Sequence, residues 1–229
     1  ILFKNNFNKQ ANKLIKIIGS QIIYINPEII TASIIGKGAP KPRTNFIFNG
    51  DWDIDEEILQ GESGNTKIKI SEASISIQEL FVYRIPYQES TEYKFFLRKL
   101  EKYGFSRRYK NLESLNNYFK NLIKIYEDIR DNGYKTQKHL KRKKSVLISA
   151  KGQDDEIVVF IGRNGNLIGG NGGRHRMAIV KLLGINEVPV LIVGVHYLWA
   201  RKCFEKYKTD VLSAINKGLS EIEWIKGFD

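Results

Sequence analysis

The chain has 229 residues, with 37 Lys and Arg against 25 Asp and Glu, giving a formal charge of +12. At roughly 100–200 residues per domain it is one domain with room for a sizeable insertion, and 42% hydrophobic residues exclude a disordered chain. A single cysteine, Cys203, and three histidines exclude a disulfide framework and a cysteine-based zinc site, so any metal is expected on oxygen ligands, while the charge points to an anionic partner without naming it.

Phe7, Ala11, Leu14, Ile15 and Ile18 recur at helical spacing before Gly19, which predicts an N-terminal helix within 1–20. Lys9, Lys13 and Lys16 would suit a membrane surface, but the few bulky apolar anchors favour packing on the body. Gln21 to Ile25 is a strand by its β-branched density, ended by Asn26-Pro27. Residues 36–43, with two Pro, two Gly and three basic side chains, form a loop. Asn49 to Asp53 is a tight turn in which Asp51 and Asp53 flank Trp52, and the Gly/Ser/Asn-rich stretch 60–72 is expected to be a mobile insertion.

A helix starts at the Ser90-Thr91 cap, places Tyr93, Phe96, Leu97 and Leu100 on one face and stops at Gly104. A longer one runs from Leu112 through Leu115, Phe119, Leu122 and Ile129 to Gly133. The basic run Lys138 to Lys144 reads equally well as a solvated loop or a binding patch. Then follow a strand over Ile157 to Ile161, a hairpin turn at Arg163 to Asn166, a return strand from Leu167, a helix over Arg174 to Leu183 and a strand over Val188 to Val193. No apolar run reaches the roughly 18–20 residues that span a bilayer, and Lys, Asn and Gln break up 1–20 as a signal peptide, so a cytoplasmic location is expected.

The sharpest signal is Gly169-Gly170-Asn171-Gly172-Gly173-Arg174-His175-Arg176. Glycines leaving a strand and entering a helix let the backbone approach a ligand and aim N–H groups at it. Three basic side chains in a first helical turn, where the helix dipole disfavours cations, predict an anion there, and phosphate fits. The pattern is neither a P-loop nor a dinucleotide fingerprint.

Together with the strand 157–161, the Arg-Asn-Gly turn and the closing Glu-Val-Pro-Val-Leu-Ile-Val, this stretch resembles the ParB/sulfiredoxin superfamily over about residues 112–195, with 21–35 supplying its opening strand. The resemblance implies an α+β fold: a small mixed sheet flanked by helices, with 36–111 as a helical insertion and 196–229 as a helical C-terminal extension. It also implies that Gly172, Gly173, Arg174, His175 and Arg176 cradle the phosphates of a nucleotide, which in that superfamily is ATP, ADP or CTP. Arg174 stands where sulfiredoxin has its catalytic cysteine, which excludes sulfinic-acid reduction. The roughly 30 residues after Val195 leave no room for the helix-turn-helix of partition proteins. Gly50-Asp51-Trp52-Asp53 and His196-Tyr-Leu-Trp199 resemble elements of ParB-like proteins of unassigned activity.

A nucleotide bound through its phosphates calls for Mg²⁺ and, for phosphoryl transfer, a base. Asp51 and Asp53, on one side of an extended turn, are the candidates for both roles, with His175 the third catalytic candidate; equally, Trp52 is a core anchor and the two aspartates merely shape the turn. Glu92 is accounted for by the helix dipole at its own N-terminus. The leading expectation is a nucleotide-dependent phosphotransferase acting on a small-molecule or glycan hydroxyl. The alternative is a nucleotide-gated or nucleic-acid-associated binding protein, for which Tyr103-Gly-Phe-Ser-Arg-Arg-Tyr109 would supply stacking.

Overall fold

A computed structural model of the chain describes residues 7, 10, 22–30, 32–36, 40, 46–54, 65–68, 72–105, 109–136, 156–170 and 172–222. The basic run Lys138 to Lys144, Asn171, most of the loop 36–43 and the first helix apart from Phe7 and Gln10 lie outside the described residues. The fold is α+β, as expected: six α-helices and a seven-stranded mixed sheet are present among the described residues. No helix among them is long and apolar enough to cross a membrane.

Contacts divide the chain into two compact units, one of Ile1–Lys69, Thr136–Gly173 and Asn186–Asp229, the other of Ile70–Lys135 and Arg174–Ile185. The first holds the whole sheet: β1 (Ile22–Ile25), β2 (Ser33–Gly36), β3 (Ile47–Phe48), β4 (Asn65–Ile68), β5 (Ile157–Ile161), β6 (Leu167–Gly169) and β7 (Val188–His196). Their order is β1-β7-β5-β6-β2-β4, with β3 also on β7. Strand β7 is buried along its whole length, which is why it reads as an unbroken apolar run. It pairs with β5 in parallel along one edge, and along the other with β1 antiparallel over Val188 to Leu191 and with β3 in parallel at Val195 and His196. Ile34, Phe48, Trp52, Phe160, Ile168, Leu191 and Val193 form the core on the sheet. Trp52 is therefore a core anchor.

Beyond β7 run two helices, α5 (Tyr197–Tyr207) and α6 (Val211–Ser220). Phe7 is buried with its ring 5.3 Å from that of Tyr197 and 5.4 Å from that of Phe204, and Gln10 Oε1 accepts from the Val211 N–H at 2.9 Å. Burial of Phe7 fits the packing reading of the N-terminal segment. Gly218 in α6 lies against Cys203 and Trp199 of α5, so a side chain there would drive the helices apart.

The second unit is helical: α1 (Glu72–Phe81), α2 (Thr91–Tyr103), α3 (Leu112–Asn132) and α4 (Arg174–Leu182). Ser90 caps α2 by accepting from Tyr93 N–H, and Gly104 ends it in the left-handed conformation at φ 71°. Asn111 and Ser114 close a capping box at the start of α3. Leu115, Phe119, Leu122 and Ile129 form its buried stripe, and Tyr87 and Tyr93 pack on the Phe119 ring. Helix α4 packs against α1 and α3.

Two differences from the sequence reading stand out. The stretch 60–72, expected to be mobile, contains β4, whose backbone pairs antiparallel with β2. And α1 follows directly, burying Ala73, Ser76, Ile77 and Leu80 at helical spacing. The alternation of Ile75 and Ile77 with serines hides that period, because one of its core positions is filled by Ser76.

Candidate functional site

The structure places the predicted charged and histidine residues in two polar clusters, one in each unit. In the sheet unit, Gly50 (φ 94°) opens the turn that carries Asp51 and Asp53, and Trp52 points into the core between the rings of Phe160 and His196, 5.6 and 5.4 Å away. The two aspartates meet the same side chain, Arg163, from the hairpin turn between β5 and β6. Its Nε donates to Asp53 Oδ1 at 2.9 Å and its Nη2 reaches Asp53 Oδ1 and Asp51 Oδ1, each at 2.8 Å. The Arg163 backbone N–H donates to Asp53 Oδ2 at 2.5 Å.

Asp53 is buried, with 2% of its side chain exposed, whereas Asp51 is 65% exposed. Donating hydrogen bonds to Asp53 first, then to Asp51, pushes the Arg163 guanidinium above its ordinary value. His196 completes the cluster. At 1% exposure it ends β7, accepts the Leu198 N–H at Nδ1 (3.0 Å) to cap α5, and donates from Nε2 to the Gly50 carbonyl at 2.8 Å. Trp199 lies against Gly165 of the hairpin turn, where a Cβ would come within 3.1 Å of its Nε1. The Gly-Asp-Trp-Asp and His-x-x-Trp elements thus meet around one arginine.

This arrangement does not fit Mg²⁺. Both oxygens of Asp53 and one of Asp51 already face Arg163, whose guanidinium stands where a cation between the two carboxylates would sit. Among the described residues no group of three or more His, Cys, Asp or Glu side chains is disposed to hold a metal.

The glycine-rich turn lies against β5. Gly170 N–H donates to the Val158 carbonyl at 2.8 Å, and the Gly172 carbonyl accepts from the Val158 N–H at 3.3 Å. A Cβ on Gly173, at φ 69°, would lie 2.6 Å from Ile157 Cα. Close passage over the strand therefore demands the glycines, as a tight turn would. Gly173 stands just before α4 and has no side chain with which to cap it.

Arg174, His175 and Arg176 begin α4 in the helical unit. Arg174 Nη1 is buried without a hydrogen-bond partner. Arg176 Nη1 donates to the Tyr134 hydroxyl at 3.3 Å. His175 is held at both ring nitrogens: Nε2 lies 2.8 Å from Glu92 Oε2, and Nδ1 lies 3.0 Å from the Tyr118 hydroxyl. Only 12% of the His175 side chain and 7% of the Glu92 side chain are exposed. An ionised Glu92 can only accept, so the Nε2 proton points to it and Nδ1 is left to accept from Tyr118.

Of the residues predicted from sequence, Asp51 and Asp53 come together, and His175 takes a place with partners the sequence had not paired with it. Glu92 and Tyr118 are the functional candidates that local reasoning missed, and Arg163 is the partner it did not assign to the two aspartates. Glu92 gave one signal: a carboxylate beside Tyr93 on the buried face of an amphipathic helix, where a charge is expected to have a partner. A groove of about 420 Å³ in the helical unit, lined by Leu80, Phe81, Tyr126, Arg130 and their neighbours, includes none of these residues. No protein-family model, curated protein or solved structure matches the chain.

Proposed function

We propose that the protein binds a nucleotide through its phosphates at the turn Gly172 to Arg176 and transfers a phosphoryl group to a hydroxyl acceptor, as a member of the ParB/sulfiredoxin superfamily. The observation that carries this reading is Arg174. A guanidinium nitrogen buried without a partner costs several times a typical hydrogen bond, and at the start of a helix it adds to the positive end of the dipole. A phosphate oxygen at that point would satisfy the nitrogen and the dipole together. Arg176 adds a second positive charge two residues on, and the glycines before α4 keep side chains away from the approach.

The carboxylates of the Gly-Asp-Trp-Asp turn have no step in this reading, because Arg163 already occupies them; they shape the sheet unit. His175, backed by Glu92, is the proton-handling group beside the phosphate site. The test is to incubate the protein with Mg²⁺ and each of ATP, ADP, CTP and GTP, with hydroxyl acceptors from glycerol to oligosaccharides, and to follow the phosphorus species. Appearance of a phosphorylated acceptor is the expected result; failure of every nucleotide to bind removes the reading.

A second reading has its own observation. Phe95, Tyr103 and Phe105 are exposed on or just after α2, with Lys99 Nζ 4.2 Å from the Phe95 ring and Lys102 Nζ 5.2 Å from that of Tyr103. Exposed aromatics with basic neighbours suit the stacked bases of a single strand. Salt separates the two readings. Backbone binding falls steeply with salt, with a slope of about 0.7 per phosphate contact on a single strand, whereas binding in a nucleotide pocket responds far less.

A further inference from the structure

We propose that Tyr118 is the base of the transfer step, with His175 and Glu92 forming the relay that takes up its proton. This deepens the phosphotransferase reading and rests on it. Three side chains from α2, α3 and α4 stand in one line: Glu92 Oε2 to His175 Nε2 at 2.8 Å, then His175 Nδ1 to Tyr118 Oη at 3.0 Å. The line has a direction. Its carboxylate end is buried, and the imidazole and the phenol are each partly exposed. A carboxylate on one ring nitrogen fixes the tautomer that leaves the other nitrogen to accept a proton, which is the geometry by which a group is activated through a histidine.

The line is anchored at its centre on the helix turn that carries the proposed phosphate site, because His175 follows Arg174 in the first turn of α4. The Tyr118 ring is held in place by Tyr109, 5.3 Å away, and by an edge contact to His175 at 5.8 Å. Pre-orientation of this kind is what a proton acceptor requires.

In the step, the acceptor oxygen forms a bond to the terminal phosphorus as the bond from that phosphorus to the bridging oxygen breaks, and the leaving nucleotide keeps the electron pair. The acceptor proton passes to Tyr118 Oη while the Tyr118 proton passes to His175 Nδ1. The imidazolium that results is stabilised by the Glu92 carboxylate until its proton returns through Tyr118 to the product phosphate or to water. Tyr118 is the catalytic residue of this scheme, His175 carries the second proton, and Glu92 is a positioning residue.

Water serves as the smallest acceptor in the test. Whichever of Mg-ATP, Mg-ADP, Mg-CTP and Mg-GTP stabilises the protein is used at saturation, and release of inorganic phosphate is followed in single turnovers. Tyr118→Phe and His175→Gln are each expected to slow release by about 100-fold or more, measured at nucleotide saturation for each variant, while nucleotide affinity of Tyr118→Phe stays within about threefold. The double variant is expected to be no slower than either single one, because the chain acts as a unit. The wild-type rate in mixtures of light and heavy water should show two protons in flight, and that signature should disappear in Tyr118→Phe and in Glu92→Gln. A Tyr118→Phe protein that binds nucleotide and turns over at the wild-type rate overturns the relay and leaves the phosphotransferase reading standing. Nucleotide binding with no phosphate release also overturns the relay and favours the binding-module reading. If no nucleotide stabilises the wild type, the phosphotransferase reading falls and the relay falls with it.

Discussion

The two polar clusters are built from similar residue types and differ in what they leave unspent. Around Arg163, one guanidinium meets two carboxylates, a carbonyl and its own backbone contact to Asp53, so the charges close on each other. Around His175, a carboxylate, an imidazole and a phenol form a hydrogen-bonded line, and the adjacent Arg174 has a buried nitrogen without a partner. A cluster whose charges pair with one another has a role in stability, whereas a buried guanidinium nitrogen without a partner is the feature on which the proposed phosphate site rests. In the proposed reading the motif with the more conspicuous carboxylates is the structural one.

The largest expected effect on stability is from Asp53→Ala, which removes the buried carboxylate that both the Arg163 guanidinium and its backbone N–H donate to. Breaking such a pair should cost about 3 kcal/mol in a denaturant titration, with nucleotide affinity of the folded fraction unchanged. Loss of nucleotide binding without loss of stability would reverse the roles assigned to the two clusters. Gly173→Ala comes next, at about 2 kcal/mol, because a left-handed residue pressed against Ile157 has no room for a methyl group. That measurement sharpens the comparison by showing how far the turn before α4 is fixed by the strand under it. Asp51→Ala should cost less than about 1 kcal/mol in the same titration, since the side chain is mostly in water.

Cys203 provides a pH test confined to the sheet unit. Burial pushes its thiol from the ordinary 9.0 up to about 11. Because the unfolded chain then gives up the proton first, this contribution to stability is complete below about pH 9 and is lost as pH rises towards 11. Cys203→Ala should flatten that decline in alkaline denaturation curves. The thiol should also resist alkylation at neutral pH until the protein unfolds.

Much of the fold was legible because its signals are local. Ser90, Gly104, Asn111 and Gly133 bound α2 and α3 through caps that a short window of sequence contains, and the β5 hairpin is announced by Arg163 to Asn166. Helix α4 was likewise readable from the glycines before it and Gly184 after it. What stayed hidden is long-range. Glu92 and His175 are 83 residues apart, Tyr118 and His175 57, and Asp53 and Arg163 110, and no propensity or period links residues at such distances. Sequence reasoning could assign Asp51 and Asp53 a shared side of the turn, but not the arginine that meets them there.

The most direct test of the central claim is a thermal-shift panel of Mg²⁺-nucleotides on the wild type and on Arg174→Ala. At about 100 times its dissociation constant a bound nucleotide should stabilise the wild type by about 2.7 kcal/mol, and the shift should vanish in the variant. A shift of equal size in both proteins, or none in either, would contradict a phosphate site at the turn Gly172 to Arg176.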